Sequence, residues 1–287
     1  MEITVNAPAK INLYLDILNK RSDGYHDVEM IMQTVSLFDK ITIKKSDKNG
    51  IFITSNYNFD VDVKKNTAYI AAEKFFEHIK LIDQGICINM QKQIPVGAGL
   101  AGGSSDAAAV LIGLNELFER KLSKNELATI GEKVGADVPF CIFGGTMLAT
   151  GTGTTLSPLS PLKNCHILIV KPPFSVSTKA AYQASDLFPH EKNKSINNII
   201  AAIKSNNLKD TAKNIYNRFE KVFNLDYIAK IKNILNENGA LNSCMTGTGS
   251  AVYGVFEDEE KAIYCKKILS KSYKDVFLCN PFSYDKN

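Results

Sequence analysis

The sequence predicts an α+β protein of two domains, 1–160 and 161–287. Three observations predict it. The first fifth of the chain reads as strands, a glycine cluster at 97–103 then feeds consecutive helices, and the C-terminal part follows a β-α-β-β-α-β order. At 287 residues the chain is long enough to bury two cores.

The elements follow in order. Residues 2–6 and 11–18 place β-branched, Leu and Ile residues in alternation, predicting two strands around a kink at Ala7-Pro8-Ala9-Lys10. A polar loop over 20–27 carries an Asp-Gly turn signal, and strands are expected over 28–37, 40–45 and 51–54. Ala68, Ala72, Phe75, Phe76 and Ile79 recur at helical spacing behind an N-capping Asn66, predicting a helix over 67–81. A strand over 85–91 leads to the glycines, and helices are predicted over 106–120 and 124–134. Ser123 and Glu126 form the capping box of the second. Pro139 breaks that helix at 135–139, the stretch 144–159 is Gly- and Thr-rich, and Pro158 and Pro161 suggest a linker. Beyond it come a strand over 165–171, helical sequence over 179–238 interrupted near Pro189 and Asn206, and strands over 241–245 and 251–256. A helix over 259–271 and a strand over 275–279 close the chain. Stripped to its skeleton this is the split βαβ sandwich of ferredoxin-like type.

Composition excludes several classes. The chain is 45% apolar and 22% charged, with a net charge of +4 spread over scattered lysines. No basic patch marks a nucleic-acid binder, although an anionic substrate suits the charge. The six cysteines form no CxxC pair and no zinc spacing, so buried free thiols and no metal site are expected. No apolar run reaches the roughly 18 residues of a membrane span, and 1–10 lacks a leader pattern. A soluble, cytoplasmic protein with no membrane partner is expected.

The string PVGAGLAGGSSDAAA at 95–109 joins four glycines to a helix start, where free N–H groups and the helix dipole favour an anion. Gly97, Gly99 and Gly102 match GxGxxG, but a Rossmann unit needs a second parallel strand after the helix, and here another helix follows. A P-loop fails as well, because Gly103 stands where the phosphate-gripping lysine belongs. No HRD or DFG element supports a protein kinase.

The whole string is similar to the phosphate-binding motif of the GHMP kinase superfamily, which phosphorylates small-molecule hydroxyls with ATP. APAKINLYL at 7–15 and MTGTGSAVYGVF at 245–256 resemble its other two motifs, in the same order. The resemblance implies an N-terminal domain like domain 2 of ribosomal protein S5 and a ferredoxin-like C-terminal domain, with ATP and Mg2+ as cofactors. PAKINLYLDILNKRSDGYHDVEM at 8–30 and GADVPFCIFGGT at 135–146 resemble one branch of the superfamily. That branch phosphorylates the 2-hydroxyl of 4-diphosphocytidyl-2-C-methyl-D-erythritol on the non-mevalonate route to isoprenoid precursors. A GHMP kinase with a homoserine- or mevalonate-type substrate, or a non-catalytic nucleotide-binding protein, stands as the alternative.

Individual residues carry two readings. Read alone, Asp137 is an Asp at a helix break; the resemblance makes it the base that takes the substrate hydroxyl proton. Lys10, otherwise an ordinary lysine, becomes its electrostatic partner, and Asn12, two residues on and on the same strand face, becomes a substrate ligand. Tyr25 and His26 suit cytosine recognition, one by stacking and one by hydrogen bonding, with Tyr182 as the second aromatic. Their alternative is a turn whose rings cover the core. Pro95, Val96, Gly97, Ala98, Gly99, Leu100, Ala101, Gly102, Gly103, Ser104 and Ser105 form the implied triphosphate cradle. Asn66 doubles as helix cap and adenine ligand. Thr248, in the turn 246–250, is placed against substrate, and Lys92 or Gln93 is in sequence reach of a phosphate.

Overall fold

A computed structural model describes residues 1–59, 62–81, 83–188, 195–222 and 226–284. The chain runs β1 (Glu2–Lys20), β2 (His26–Lys45), β3 (Gly50–Ser55), α1 (Thr67–Ile79), β4 (Gly85–Gln91), α2 (Gly102–Leu117), α3 (Lys124–Glu132) and α4 (Val138–Phe143). It continues with β5 (Thr146–Thr150), β6 (Thr155–Pro158), β7 (His166–Lys171), α5 (Thr178–Ser185), α6 (Ile196–Lys204), α7 (Leu208–Lys213), β8 (Tyr216–Asn217) and α8 (Phe219–Val222). The last elements are α9 (Asp226–Glu237), β9 (Asn242–Met245), β10 (Val252–Phe256), α10 (Glu259–Leu269) and β11 (Asp275–Cys279). These divide into two compact units, the first made of 1–9, 37–94 and 101–143, the second of 10–36, 95–100 and 144 onward.

In the first unit β4 pairs antiparallel with the end of β2, Lys40 opposite Gln91, and parallel with β3, Gly50 opposite Gly85. Helix α2 is apolar on nearly every side and is the unit's central helix: Ala107 to Leu111, Gly113, Leu114 and Leu117 are all buried. A Cβ at Gly113 would stand 2.8 Å from Ile43 Cδ1 and 3.3 Å from Val5 Cγ2, so glycine lets α2 approach the sheet with both side chains in place. Each fully buried Leu, Ile or Val side chain here contributes about 1.5–3 kcal/mol.

In the second unit β7, β9, β10 and β11 form an antiparallel sheet in the order β11-β7-β10-β9. Helix α9 buries Ile228, Ile231 and Leu235, and α10 buries Ala262, Cys265 and Leu269. This is the expected ferredoxin-like sandwich. The rest of the unit pairs β1 with β8 in parallel, β2 with β5 antiparallel, and β5 with β6 as a hairpin.

Several sequence expectations are corrected. No kink divides 2–18: β1 runs unbroken through Pro8, whose carbonyl accepts the Ser105 hydroxyl at 2.7 Å. A strand tolerates proline where the missing N–H has no ladder partner to lose. β2 is likewise one strand rather than two. Helix α2 begins at Gly102, not at 106, behind Ala101 in the left-handed region at φ 55°. Ser105 and Asp106 are cap formers by propensity, but their side chains are taken by tertiary partners, so they lie inside the helix. The break at 135–139 opens a new short helix, with Pro139 in its first turn where its missing N–H costs nothing. The stretch 144–159 holds the β5–β6 hairpin, because its threonines pair as strand while its glycines supply the turns. The helical sequence over 179–238 is interrupted by β8, and the interruption at Pro189 lies outside the described residues. Among the described residues no helix is long and apolar enough to cross a membrane.

Candidate active site

The first unit builds a nucleotide-sized recess beside a helix start. Strand β3 ends at Ser55, and residues 55–59 with Val63 and Asn66 line an open recess of about 430 Å³. Ile53, Asn56, Tyr57, Phe59, Val63 and Asn66 are among its lining residues. Tyr57 is 44% exposed with its ring centroid 5.0 Å from that of Phe59, so a flat apolar face is open to a stacking partner. Asn66 caps α1, its side chain accepting the Ala68 N–H at 2.9 Å. The next residue, Thr67, donates its hydroxyl to Gly103 O at 2.7 Å and so ties this recess to the start of α2.

No side chain caps α2, so its first N–H groups are open to an anion. The segment carrying Asp137 packs on the same turn: a Cβ on Gly135 would stand 3.9 Å from Ser104 Oγ. Asp137 itself is half-buried, immediately before α4. Ser105 is buried with its hydroxyl given to Pro8 O, which leaves its backbone as its contribution to a cradle.

In the second unit Pro95–Leu100 interlocks with the turn 246–250. Gly99 stands at φ +76°, and a Cβ there would come within 2.2 Å of Thr246 O. The Thr246 hydroxyl donates to Gly99 O at 3.3 Å, and Ala251 N–H donates to Ala98 O at 3.1 Å. Ala98 and Leu100 are buried while Val96 is 47% exposed and Gly97 is exposed between them.

Lys10 and Asn12 come together on β1, both buried, with Lys10 Nζ donating to Asn12 Oδ1 at 2.7 Å. The same oxygen accepts Gly247 N–H at 3.0 Å, and the Asn12 backbone N–H donates to the Thr246 hydroxyl at 3.0 Å. Asn12 therefore braces Lys10 against the 246–250 turn. Asn217 holds that turn from β8, its amide donating to Met245 O and Gly247 O at 2.8 Å each. Thr248 is buried with its hydroxyl 3.3 Å from that of Thr178.

His26 packs against Tyr182 at a centroid distance of 5.1 Å with the rings tilted by 32°, and Tyr182 meets Phe219 edge-on at 5.1 Å. Tyr25 is 68% exposed. His26 Nε2 lies 2.6 Å from Asp186 Oδ1, and Lys20 Nζ donates to Asp186 Oδ2 at 2.5 Å. The Lys20 and His26 hydrogen bonds hold the Asp186 carboxyl below the ordinary carboxylate range. A depressed carboxyl keeps this bracket intact above its ordinary value of about 3.9 and loses it only as pH falls through the lowered one.

Sequence reasoning missed several of these residues. Asn56, Tyr57 and Phe59 follow a strand and carry a polar–aromatic pattern that resembles an ordinary loop. Asp186 had a usable signal, since it lies four residues after Tyr182 at the end of α5. Lys92 does not reach outward for a phosphate: it is buried between Asp39 and Asp106.

The fold of each unit and the residues gathered within it fit a GHMP kinase, and the chain belongs to that family. The profile of the GHMP kinases N terminal domain matches residues 66–145, and that of the GHMP kinases C terminal domain matches 199–275. The chain is accordingly a small-molecule kinase that takes its phosphoryl group from ATP. A 4-diphosphocytidyl-2-C-methyl-D-erythritol kinase of Caldicellulosiruptor bescii is 46% identical over 277 residues, covering 96% of each chain. A crystal structure of 4-(cytidine 5'-diphospho)-2C-methyl-D-erythritol kinase is similar at a TM-score of 0.82 and 28% identity, covering 96% of this chain and 98% of the other. A homoserine kinase from Cytophaga hutchinsonii shares the fold at a TM-score of 0.78 and 22% identity, with 98% and 95% covered.

Proposed function

We propose that the protein transfers the γ-phosphoryl group of ATP to the 2-hydroxyl of 4-diphosphocytidyl-2-C-methyl-D-erythritol, serving the non-mevalonate route to isoprenoid precursors. The observation that carries the reading is the similarity, over nearly the whole chain, to relatives named for that substrate. The local geometry supports it. Adenine suits the recess of Tyr57, Phe59 and Asn66, and the triphosphate suits the backbone of 95–105 with the uncapped start of α2. On the acceptor side, His26 and Tyr182 offer a hydrogen-bonding edge and a stacking face to a cytosine ring, with Tyr25 as an exposed ring able to close over it. The family models fall on either side of residue 160, in keeping with a nucleotide-binding part over 1–160 and a ferredoxin-like part over 161–287.

The acceptor is a hindered tertiary alcohol, so a base aids its attack. Asp137 takes the hydroxyl proton as the oxygen bonds to phosphorus. Lys10 offsets the negative charge around the transferring group, and Asn12 keeps its ammonium aimed through the 2.7 Å hydrogen bond. Asn12 and Thr248 complete the acceptor side. Mg2+ would accompany the nucleotide, held mainly by its phosphates and water. The Ser104 hydroxyl and the Asp137 carboxylate, on segments that pack on one turn, are the side-chain oxygens that would hold such an ion. When bound, the ion neutralises phosphate charge.

The test offers purified protein Mg-ATP with the cytidine substrate, homoserine, mevalonate or galactose and follows ADP release. Turnover confined to the cytidine substrate is expected; turnover with another alcohol alone moves the chain to another branch. Within this reading, Asp186→Ala frees the His26 ring and should raise KM for the cytidine substrate by up to about 5-fold, the range of a partly exposed charge pair. KM for ATP should stay put, and an equal rise in both constants would show that Asp186 acts on stability alone.

A further inference from the structure

Beneath the start of α2 lies an ionic cluster that the proposed reaction does not use. Lys92 Nζ is bonded to Asp39 Oδ2 and to Asp106 Oδ2, and all three side chains are 5% exposed or less. Two carboxylates thus share one ammonium in a dry site. They are not equivalent. Asp39 Oδ1 accepts the backbone N–H groups of Gln93 at 2.5 Å and Ile94 at 2.8 Å, so its charge is fully solvated by the protein. Asp106 Oδ1 is buried and has no hydrogen-bond partner. An ionised carboxylate with one bare oxygen is the costlier of the two, so a proton retained by the cluster resides on Asp106.

The cluster also touches both ends of the proposed nucleotide site. The Lys92 backbone is bonded to Asn56 in both directions, N–H to Oδ1 at 2.7 Å and C=O from Nδ2 at 3.2 Å, and Asn56 lines the recess. At the other end Asp106 belongs to the second turn of α2, and Lys92 Nζ lies 3.6 Å from where a Cβ on Gly102 would be. We propose that Asp106 is a positioning residue of the nucleotide site: bonded to Lys92 and holding the cluster's proton, it ties the first turns of α2 to the Asn56 strand end while keeping the buried cluster electrically neutral beneath the phosphates. This rests on the reading that the start of α2 binds ATP phosphate.

Burial pushes the Asp106 carboxyl up to about 8, with Asp39 adding to the rise and Lys92 opposing it. Asp39 and Lys92 are the charged groups facing it from β2 and from the segment after β4. The sign follows from the raised value. Through neutral pH the cluster holds one ammonium, one carboxylate and one neutral acid. Above about pH 8 it gains a net negative charge, which repels the triphosphate and loosens the joint to Lys92.

The expected result is a nucleotide dissociation constant that rises about 5-fold between about pH 7 and about pH 9.5 in the wild-type protein, the size of one added charge at short range. Asp106→Asn keeps the shape and removes the ionisation, so its dissociation constant should stay flat across that interval. An equal alkaline rise in both proteins, or none in either, would overturn the proposal while leaving nucleotide binding established. Failure to bind nucleotide at any pH would overturn the phosphate-site reading together with it. Infrared difference spectra of the wild-type protein supply a measurement independent of the variant's folding. One protonated-carboxyl band should vanish near pH 8 and persist to higher pH with saturating ADP. A band absent at neutral pH would equally overturn the proposal.

Discussion

Asp137→Asn is expected to lower kcat by about 10²- to 10⁴-fold, the usual worth of a positioned base, with nucleotide affinity unchanged. The substitution keeps the side chain's shape and leaves the backbone bond from Cys141 N–H to Asp137 O at 3.1 Å, so the start of α4 survives. It removes the group that takes the hydroxyl proton. On the proposed mechanism, the amide neither accepts that proton nor carries a negative charge. Rapid-quench measurement of the chemical step, alongside nucleotide titration, separates the two functions. A variant that turns over at the wild-type rate removes Asp137 from the mechanism.

Gly99→Ala should be nearly as damaging, through geometry alone. A methyl group there meets Thr246 O at 2.2 Å, Thr246 C at 3.0 Å and Gly249 N at 3.3 Å, all backbone atoms with no side chain to swing aside. The left-handed φ adds about 1–3 kcal/mol for any non-glycine residue, and overpacking about 1–3 kcal/mol more. Together these lower Tm by roughly 10 °C. The displaced turn also carries Thr246 and Gly247, the partners of Asn12, so Lys10 loses its brace and turnover falls beyond what stability explains. Gly24→Ala is the control: its φ is +87°, but nothing lies within 4 Å of the added methyl. It should show the conformational cost without the loss of turnover. Equal effects at the two positions would mean that the interlock between the loop and the turn has no functional weight.

Much of this molecule is legible in the chain, for identifiable reasons. The strand at 85–91 and the strand at 275–279 emerged with their bounds intact because Gly and polar turn residues punctuate both ends. Asn66 and the Ser123–Glu126 box announced the starts of α1 and α3 because N-capping is a local, side-chain-to-backbone event. What escaped was set by distant partners. The start of α2 lies four residues before the position that Ser105 and Asp106 suggest by cap propensity, and only the fold assigns their side chains to Pro8 and Lys92. The β5–β6 hairpin hid in glycines and threonines that carry no apolar alternation. On the site side, Lys10 and Asn12 share one strand face as their spacing required, and His26 meets Tyr182 across more than a hundred and fifty residues of sequence, 182 minus 26. The bracket of Asp186 on His26 and the hold of Asn217 on the 246–250 turn depend on tertiary approach, and neither leaves a periodic trace.

Phosphorus NMR of the reaction mixture tests the proposed function most directly. With Mg-ATP and 4-diphosphocytidyl-2-C-methyl-D-erythritol, ADP should form in step with one new phosphate monoester, assigned to the 2-hydroxyl, while the substrate's own diphosphate signals persist. A mixture in which no monoester appears, or in which it appears on a different hydroxyl, contradicts the assignment of acceptor and reaction together.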